Sequence, residues 1–297
     1  MSTFKKEIFR GAATAIITPF KSGEIDWEAF SRLIDFQIGA GIDALVITGT
    51  TGESSTLDEE EHKSILRFAL EKIDGRVPAI AGTGSNNISR ATKMSRYAGE
   101  LGYDGLLVVT PYYNKATEKG LIESYIQIAD SSKAPIILYN VPTRTCCNIT
   151  LPVYRALAGH ENIVGVKEAS GNISAIAELF SECGDYFDIY SGNDDQTLPL
   201  LSLGGKGVIS VVSNIIPNIM HDLCSLWFDG DIEACRKIQL EYLTLMKAMF
   251  CEVNPIPVKT ALNALGFCEQ EFRLPMCEIG DHNRALLEEV LKKYRVT

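Results

Sequence analysis

A lysine stands inside the apolar run IVGVKEA at 163–169. A cation in a strand covered on both faces costs several kcal/mol unless it is paired or neutralised. Desolvation depresses the pKa of such an amine, and a neutral amine is a carbonyl nucleophile. The competing reading of Lys167 is a side chain at the strand's end whose ammonium reaches solvent along an apolar stem. Glu168, next along, points to the opposite face and reads as a packing or ion-pair residue. Imine chemistry also needs a proton carrier. Tyr139, late in APIILYNVP at 134–142, is either that carrier or a core tyrosine with a satisfied hydroxyl. Thr50 and Thr51 lie in the Gly-flanked turn GTTGES, whose hydroxyl and N–H groups suit a carboxylate, with plain turn chemistry as the alternative. Arg144 follows YNVP and is either solvated surface or a bidentate partner for an acidic substrate. Asn193, Asp194 and Asp195 read as a turn and helix N-cap rather than a catalytic dyad. The GGKG of 204–207 fits a phosphate loop or a turn entering the next strand.

These residues fall in a repeating frame. Runs rich in β-branched residues occur at 12–19, 44–49, 77–82, 105–111, 134–142, 163–169, 187–192 and 207–212, with amphipathic segments such as Asp58–Lys72 and Glu118–Ser132 between them. The runs are apolar on both faces, as parallel strands buried on both sides must be. Eight strand-plus-helix units predict an α/β fold, a closed (β/α)8 TIM barrel over 1–228, for which the roughly 250 residues typical of the fold are available. An open doubly wound sheet is the alternative. Residues 229–297 carry three further helical patterns, DIEACRKIQLEYLTLMKAMF, PVKTALNALG and HNRALLEEVLKKY, expected to form an appendage packed on the barrel or on a neighbour. Parallel barrels build their sites at the C-terminal ends of the strands. Here those ends read GTTGES, GTGSN, TPYYN, YNVPTRT, KEASG and SGND.

Composition narrows the function classes. The 28 basic and 38 acidic residues give a net charge of −10, spread along the chain, which argues against nucleic acid as a partner. No apolar stretch exceeds strand length, so a soluble cytoplasmic protein without a membrane partner is expected. The eight cysteines include no C-x-x-C pair. They read as reduced, mostly buried thiols, with Cys183, Cys224, Cys235 and Cys251 in helical patterns. His62, His160, His221 and His282 lack metal-ligand spacing, and no metal site is expected.

In their order and spacing, GTTGES, TPYYN, YNVPTRT and KEASG resemble the dihydrodipicolinate synthase family, from about residue 8 to beyond 265. That family belongs to the superfamily of Schiff-base aldolases that includes N-acetylneuraminate lyase. The paired threonines, KEASG and an arginine after YNVPT favour the synthase branch. The resemblance implies that Lys167 forms an imine with pyruvate and that Tyr139, Thr50 and Tyr113 relay protons, Tyr113 reaching into an adjoining subunit. It further implies that Thr50 and Thr51 hold the pyruvate carboxylate, Arg144 receives the carboxylate of L-aspartate 4-semialdehyde, and the backbone at Gly192 and Ile209 lines the pocket. No organic cofactor is implied, since the lysine is the electron sink. A homotetramer made as a dimer of dimers is the implied assembly. Another aldolase, such as N-acetylneuraminate lyase, and a keto-acid binding protein without chemistry are the rival readings. Tyr112, Asn86 and His62 match positions of an allosteric lysine site found in many family members. Glu59 and Arg90 depart from it, standing where lysine-sensitive members carry a histidine and a glutamate, so weak or absent inhibition by lysine is expected.

Overall fold

A computed structural model describes residues 7–295. Eight parallel strands in chain order close into a barrel, the arrangement expected from the eightfold repeat, and the open sheet is thereby excluded. The strands are β1 (Gly11–Ala15), β2 (Ala44–Ile47), β3 (Ala79–Gly82), β4 (Gly105–Val109), β5 (Ile136–Asn140), β6 (Ile163–Glu168), β7 (Asp188–Ser191) and β8 (Gly207–Ser210). All but a few of their residues are buried, which is why the runs read as continuously apolar rather than alternating. Most strands stop one to four residues before the apolar run does. The residues left over turn out of the ladder and continue the strand ends at which Tyr139 and Lys167 stand as penultimate residues.

By packing, the chain forms two units. One comprises Pro78–Ile209 with residues 7–10, and holds β3 to β7 and most of β8. Its register pairs Tyr139 with Lys167 across β5 and β6, and Lys167 with Tyr190 across β6 and β7. Beneath these strands the Phe9 ring stacks on Tyr190 at 4.2 Å, and the Tyr190 hydroxyl donates to the Phe9 carbonyl. The GGKG segment enters β8 at the end opposite Lys167. Its Lys206 pairs with Glu7 at 3.1 Å, so it is a strand-entry turn and not a phosphate loop.

The other unit comprises Gly11–Val77 and residues 210–295. It carries β1, β2, an antiparallel hairpin pairing Phe20–Lys21 with Glu24–Ile25, and the helical C-terminal segment. Its core includes a fully buried polar network in which Thr14 donates to Gln37, and Gln37 donates to the Ser213 and Asn214 carbonyls. The helix Glu59–Ile73 begins with a reciprocal capping box, Asp58 accepting from the Glu61 N–H and Glu61 from the Asp58 N–H. Beyond residue 229 there are four helices, not three: Ile232–Glu241, Leu243–Ala248, Ile256–Ala264 and Asp281–Lys293. The first expected helix breaks at Tyr242, whose ring lies 5.3 Å from that of Tyr294. The helix that resumes at Leu243 ends at Ala248, so Cys251 falls outside any helix; all eight cysteines are free thiols, five of them buried. No helix among the described residues is long and apolar enough to cross a membrane.

Candidate active site

Lys167 is the penultimate residue of β6 and is only 4% exposed. Its amine makes no hydrogen bond or ion pair among the described residues; it lies 4.5 Å from the centre of the Tyr139 ring. Burial is the main force on it, lowering its pKa from 10.5 to about 8; the Asp194 carboxylate opposes that fall and the Arg144 guanidinium adds to it. The reading of Lys167 as a solvent-seeking lysine therefore fails. Room for the side chain comes from Gly192: a Cβ there would stand 3.0 Å from Lys167 Cε and 2.6 Å from Ala169 Cβ. Tyr139 is buried on β5, beside Lys167 in the ladder. Arg144 is exposed at the end of a one-turn helix, Pro142–Thr145.

Two neighbours of Lys167 differ from expectation. Glu168 is buried on the opposite face, yet it is not an ion-pair residue. Its carboxylate accepts from Ser170 N–H at 2.7 Å, the Tyr154 hydroxyl at 3.0 Å and Asn140 Nδ2 at 3.0 Å. Three donors on one carboxylate, Asn140 Nδ2 reaching both of its oxygens, replace water without a cation. Asp194 opens a 3₁₀ turn, as the turn reading requires, but it is 2% exposed and its charge acts on Lys167. The signal for it was its place at the end of β7, the same end of a parallel strand that carries Lys167 on β6.

Thr50 and Thr51 belong to the second unit, in the turn that leaves β2. Gly49 and Thr50 carbonyls accept from Gly52 and Glu53 N–H groups, and Thr48 and Glu53 both sit at φ 53°. A Cβ at Gly52 would stand 3.1 Å from Thr48 Cα and 3.3 Å from the Ile16 carbonyl oxygen, so a larger residue there would press on the backbone. Thr51 is buried and its hydroxyl accepts from Asn254 Nδ2 at 2.9 Å; Thr50 is half-buried. Glu53 meets a residue that sequence reasoning missed. Lys259, fully buried, donates to Glu53 Oε1 at 2.6 Å and lies 4.2 Å from the centre of the Phe20 ring. Burial lowers the Lys259 pKa and the Glu53 charge resists that fall.

The remaining positions are dispersed. Tyr113 is 90% exposed at φ 75°, on the loop after β4, with Tyr112 half-buried beside it. Asn114 Nδ2 donates to the Asn86 carbonyl, bringing those two loops together, and Arg90 is the third residue of the adjoining helix Ile88–Leu101. In the second unit, His62 is buried against the Thr48 hydroxyl at 2.9 Å and Glu59 pairs with Lys63 at 2.7 Å. Ile209 is buried in β8.

A buried free amine at a barrel strand's C-terminal end, flanked by a tyrosine, is suited to imine formation with a carbonyl compound. The chain is similar to known proteins along nearly its whole length. The chain is 50% identical over 290 residues to the 4-hydroxy-tetrahydrodipicolinate synthase of Acetivibrio thermocellus, covering 98% of this chain and 99% of that one. It superimposes on the crystal structure of dihydrodipicolinate synthase from Aquifex aeolicus with a TM-score of 0.95 at 45% identity, over 97% and 99% of the two chains. The Acinetobacter baumannii dihydrodipicolinate synthase, crystallised in complex with pyruvate, matches with a TM-score of 0.94 at 37% identity, over 97% and 99%. The model of the dihydrodipicolinate synthetase family matches residues 8–294, so with Lys167 on β6 as its buried amine, the chain belongs to that family.

Proposed function

We propose that this enzyme condenses pyruvate with L-aspartate 4-semialdehyde, the reaction of 4-hydroxy-tetrahydrodipicolinate synthase, as a cytoplasmic lyase serving lysine and diaminopimelate synthesis. The observation that carries the reading is Lys167, a buried amine with its pKa near 8 and no carboxylate bonded to it. Near neutral pH a useful fraction is unprotonated and attacks the pyruvate carbonyl carbon; the carbinolamine then loses water to give the imine. The cationic imine nitrogen draws electrons from the methyl group, which loses a proton to become the enamine carbon. That carbon attacks the aldehyde, whose oxygen takes up a proton. The amine carried by the second substrate then closes the ring onto the imine carbon and releases Lys167.

Each proton step needs a carrier, and Tyr139, whose ring lies against the Lys167 amine, is assigned that role with Thr50 and Tyr113 as the relay. Thr50 and Thr51 hold the pyruvate carboxylate, Arg144 takes the carboxylate of the aldehyde substrate, and the backbone at Gly192 and Ile209 lines the pocket. Tyr113, exposed on a loop at positive φ, completes the site of a second copy in a homotetramer built from two dimers. Glu59 and Arg90 stand where lysine-sensitive members carry a histidine and a glutamate, and Arg90 sets a cation against the effector's ammonium, so the enzyme responds weakly to lysine. Borohydride reduction with pyruvate, followed by peptide mass spectrometry, tests the central step. A stable adduct on Lys167 is expected, and an unmodified Lys167 in active enzyme would overturn it.

A further inference from the structure

The turn that leaves β2 is strained, and its own backbone hydrogen bonds are not all that holds it. Glu53 is a non-glycine residue at φ 53°, and such a conformation persists only where the surroundings over-determine it. The surroundings here come from about two hundred residues further along the chain. Lys259 Nζ grips Glu53 Oε1 at 2.6 Å, and the Arg273 N–H donates to Glu53 Oε2 at 3.3 Å. Arg273 itself is clamped by both Glu61 oxygens, at 2.7 and 2.6 Å, and lies over the Phe20 ring that Lys259 also faces. Lys259 is entirely buried and Glu53 almost so, which fixes the pair in one geometry. Two residues earlier in the turn, Asn254 Nδ2 donates to the Thr51 hydroxyl at 2.9 Å. An amide N–H only donates, so the Thr51 oxygen is the acceptor and its own proton is left for another oxygen.

We propose that Asn254 and Lys259 are positioning residues for the substrate carboxylate: Lys259 sets the turn through Glu53, and Asn254 turns the Thr51 proton toward the carboxylate. This rests on the reading that Thr50 and Thr51 receive the carboxylate of pyruvate. It gives the C-terminal helical segment a share in substrate binding without any contact between that segment and the substrate.

The test compares wild type with Asn254→Asp, Asn254→Ala, Lys259→Met and the double variant Lys259→Met/Glu53→Gln. Each is measured for KM for pyruvate, kcat, melting temperature and borohydride trapping of pyruvate on Lys167. Asn254→Asp keeps the shape but substitutes an acceptor and a negative charge for the donor. KM for pyruvate is expected to rise about tenfold or more, the factor for one charge-assisted hydrogen bond, with a smaller change in kcat. Lys259→Met strands a buried carboxylate and lowers the melting temperature. The double variant removes that stranded charge and regains the melting temperature, yet retains a raised KM because the Lys259 grip on position 53 is gone and only the weaker Arg273 N–H contact is left. Asn254→Asp and the double variant both melting like wild type with wild-type KM would overturn the proposal, as would a fall in kcat alone. A wild-type enzyme that forms no pyruvate adduct defeats the underlying reading instead; an adduct in wild type with indifferent variants defeats this proposal alone.

Discussion

Replacing Lys167 with methionine should abolish the pyruvate adduct and, at neutral pH, make the protein more stable. The magnitude follows from the fall in pKa from 10.5 to about 8. At about 1.4 kcal/mol for each tenfold change in proton affinity, that fall is worth ~3 kcal/mol for a side chain almost fully withdrawn from water. The pH dependence has a definite sign. Below about pH 8 both folded and unfolded chains carry the proton, and the folded state bears the whole cost of a desolvated ammonium. Between pH 8 and 10.5 the folded amine is neutral while the unfolded one is still charged, so the cost shrinks as pH rises. Above 10.5 it is gone. Urea unfolding of both proteins at pH 7, 8, 9 and 10 therefore should show a stability gap in favour of the methionine variant that is widest at pH 7 and falls steadily above pH 8. Methionine also gains from apolar packing, but that part is independent of pH. A gap that stays constant from pH 7 to 10, or a variant less stable than wild type at pH 7, would show that Lys167 is not held as a desolvated amine.

Other perturbations probe the rest of the site. Tyr139→Phe should leave the barrel intact by circular dichroism and lower kcat by ~10²–10⁴, the range for a lost acid–base group, whereas a loss of a few-fold points to packing. Gly192→Ala drives a methyl group within 3.0 Å of Lys167 Cε. It should cost about 1–3 kcal/mol and slow pyruvate trapping, and unchanged trapping kinetics argue against the glycine as the source of that space. Mixing Tyr113→Phe with Lys167→Ala subunits should restore activity, because a hybrid dimer contains one wild-type site; no recovery despite proven subunit exchange refutes the shared site. A lysine titration in steady-state assays should show little inhibition, and Arg90→Glu with Glu59→His should increase it; strong inhibition of wild type at the concentration of a cell's free lysine refutes the charge argument.

What could be read from sequence depended on the range of the interaction. Burial on both faces of a parallel strand is a local property of composition, so all eight strands and the barrel were legible, and so was the anomaly of a lysine inside IVGVKEA. The Tyr139 and Lys167 pairing followed, because consecutive barrel strands are neighbours. Helix breaks were less visible: DIEACRKIQLEYLTLMKAMF has one continuous pattern, and the break at Tyr242 goes with a ring contact to Tyr294 that no window of the sequence contains. Asp194 was read as a turn because Asn-Asp-Asp favours one, and a turn did form; its burial beside Lys167 is a tertiary fact.

Lys259 is the sharper case, because it is as fully withdrawn from solvent as Lys167 and gave no signal. In PVKTALNALG a lysine at helical spacing reads as ordinary solvated surface, and the Glu53 that receives it lies 206 residues away. Burial alone, then, does not make a nucleophile. Both amines have lost their water, and in both that loss lowers the pKa. Lys259 regains a partner in a carboxylate 2.6 Å away, which favours its charged form and occupies its protons, so it ties the C-terminal segment to the turn. Lys167 has an aromatic face and the opposed fields of Asp194 and Arg144, with no oxygen bonded to it among the described residues, so its lone pair is left for a carbonyl carbon. The distinction between a structural and a reactive lysine in this fold is the carboxylate that one has and the other lacks.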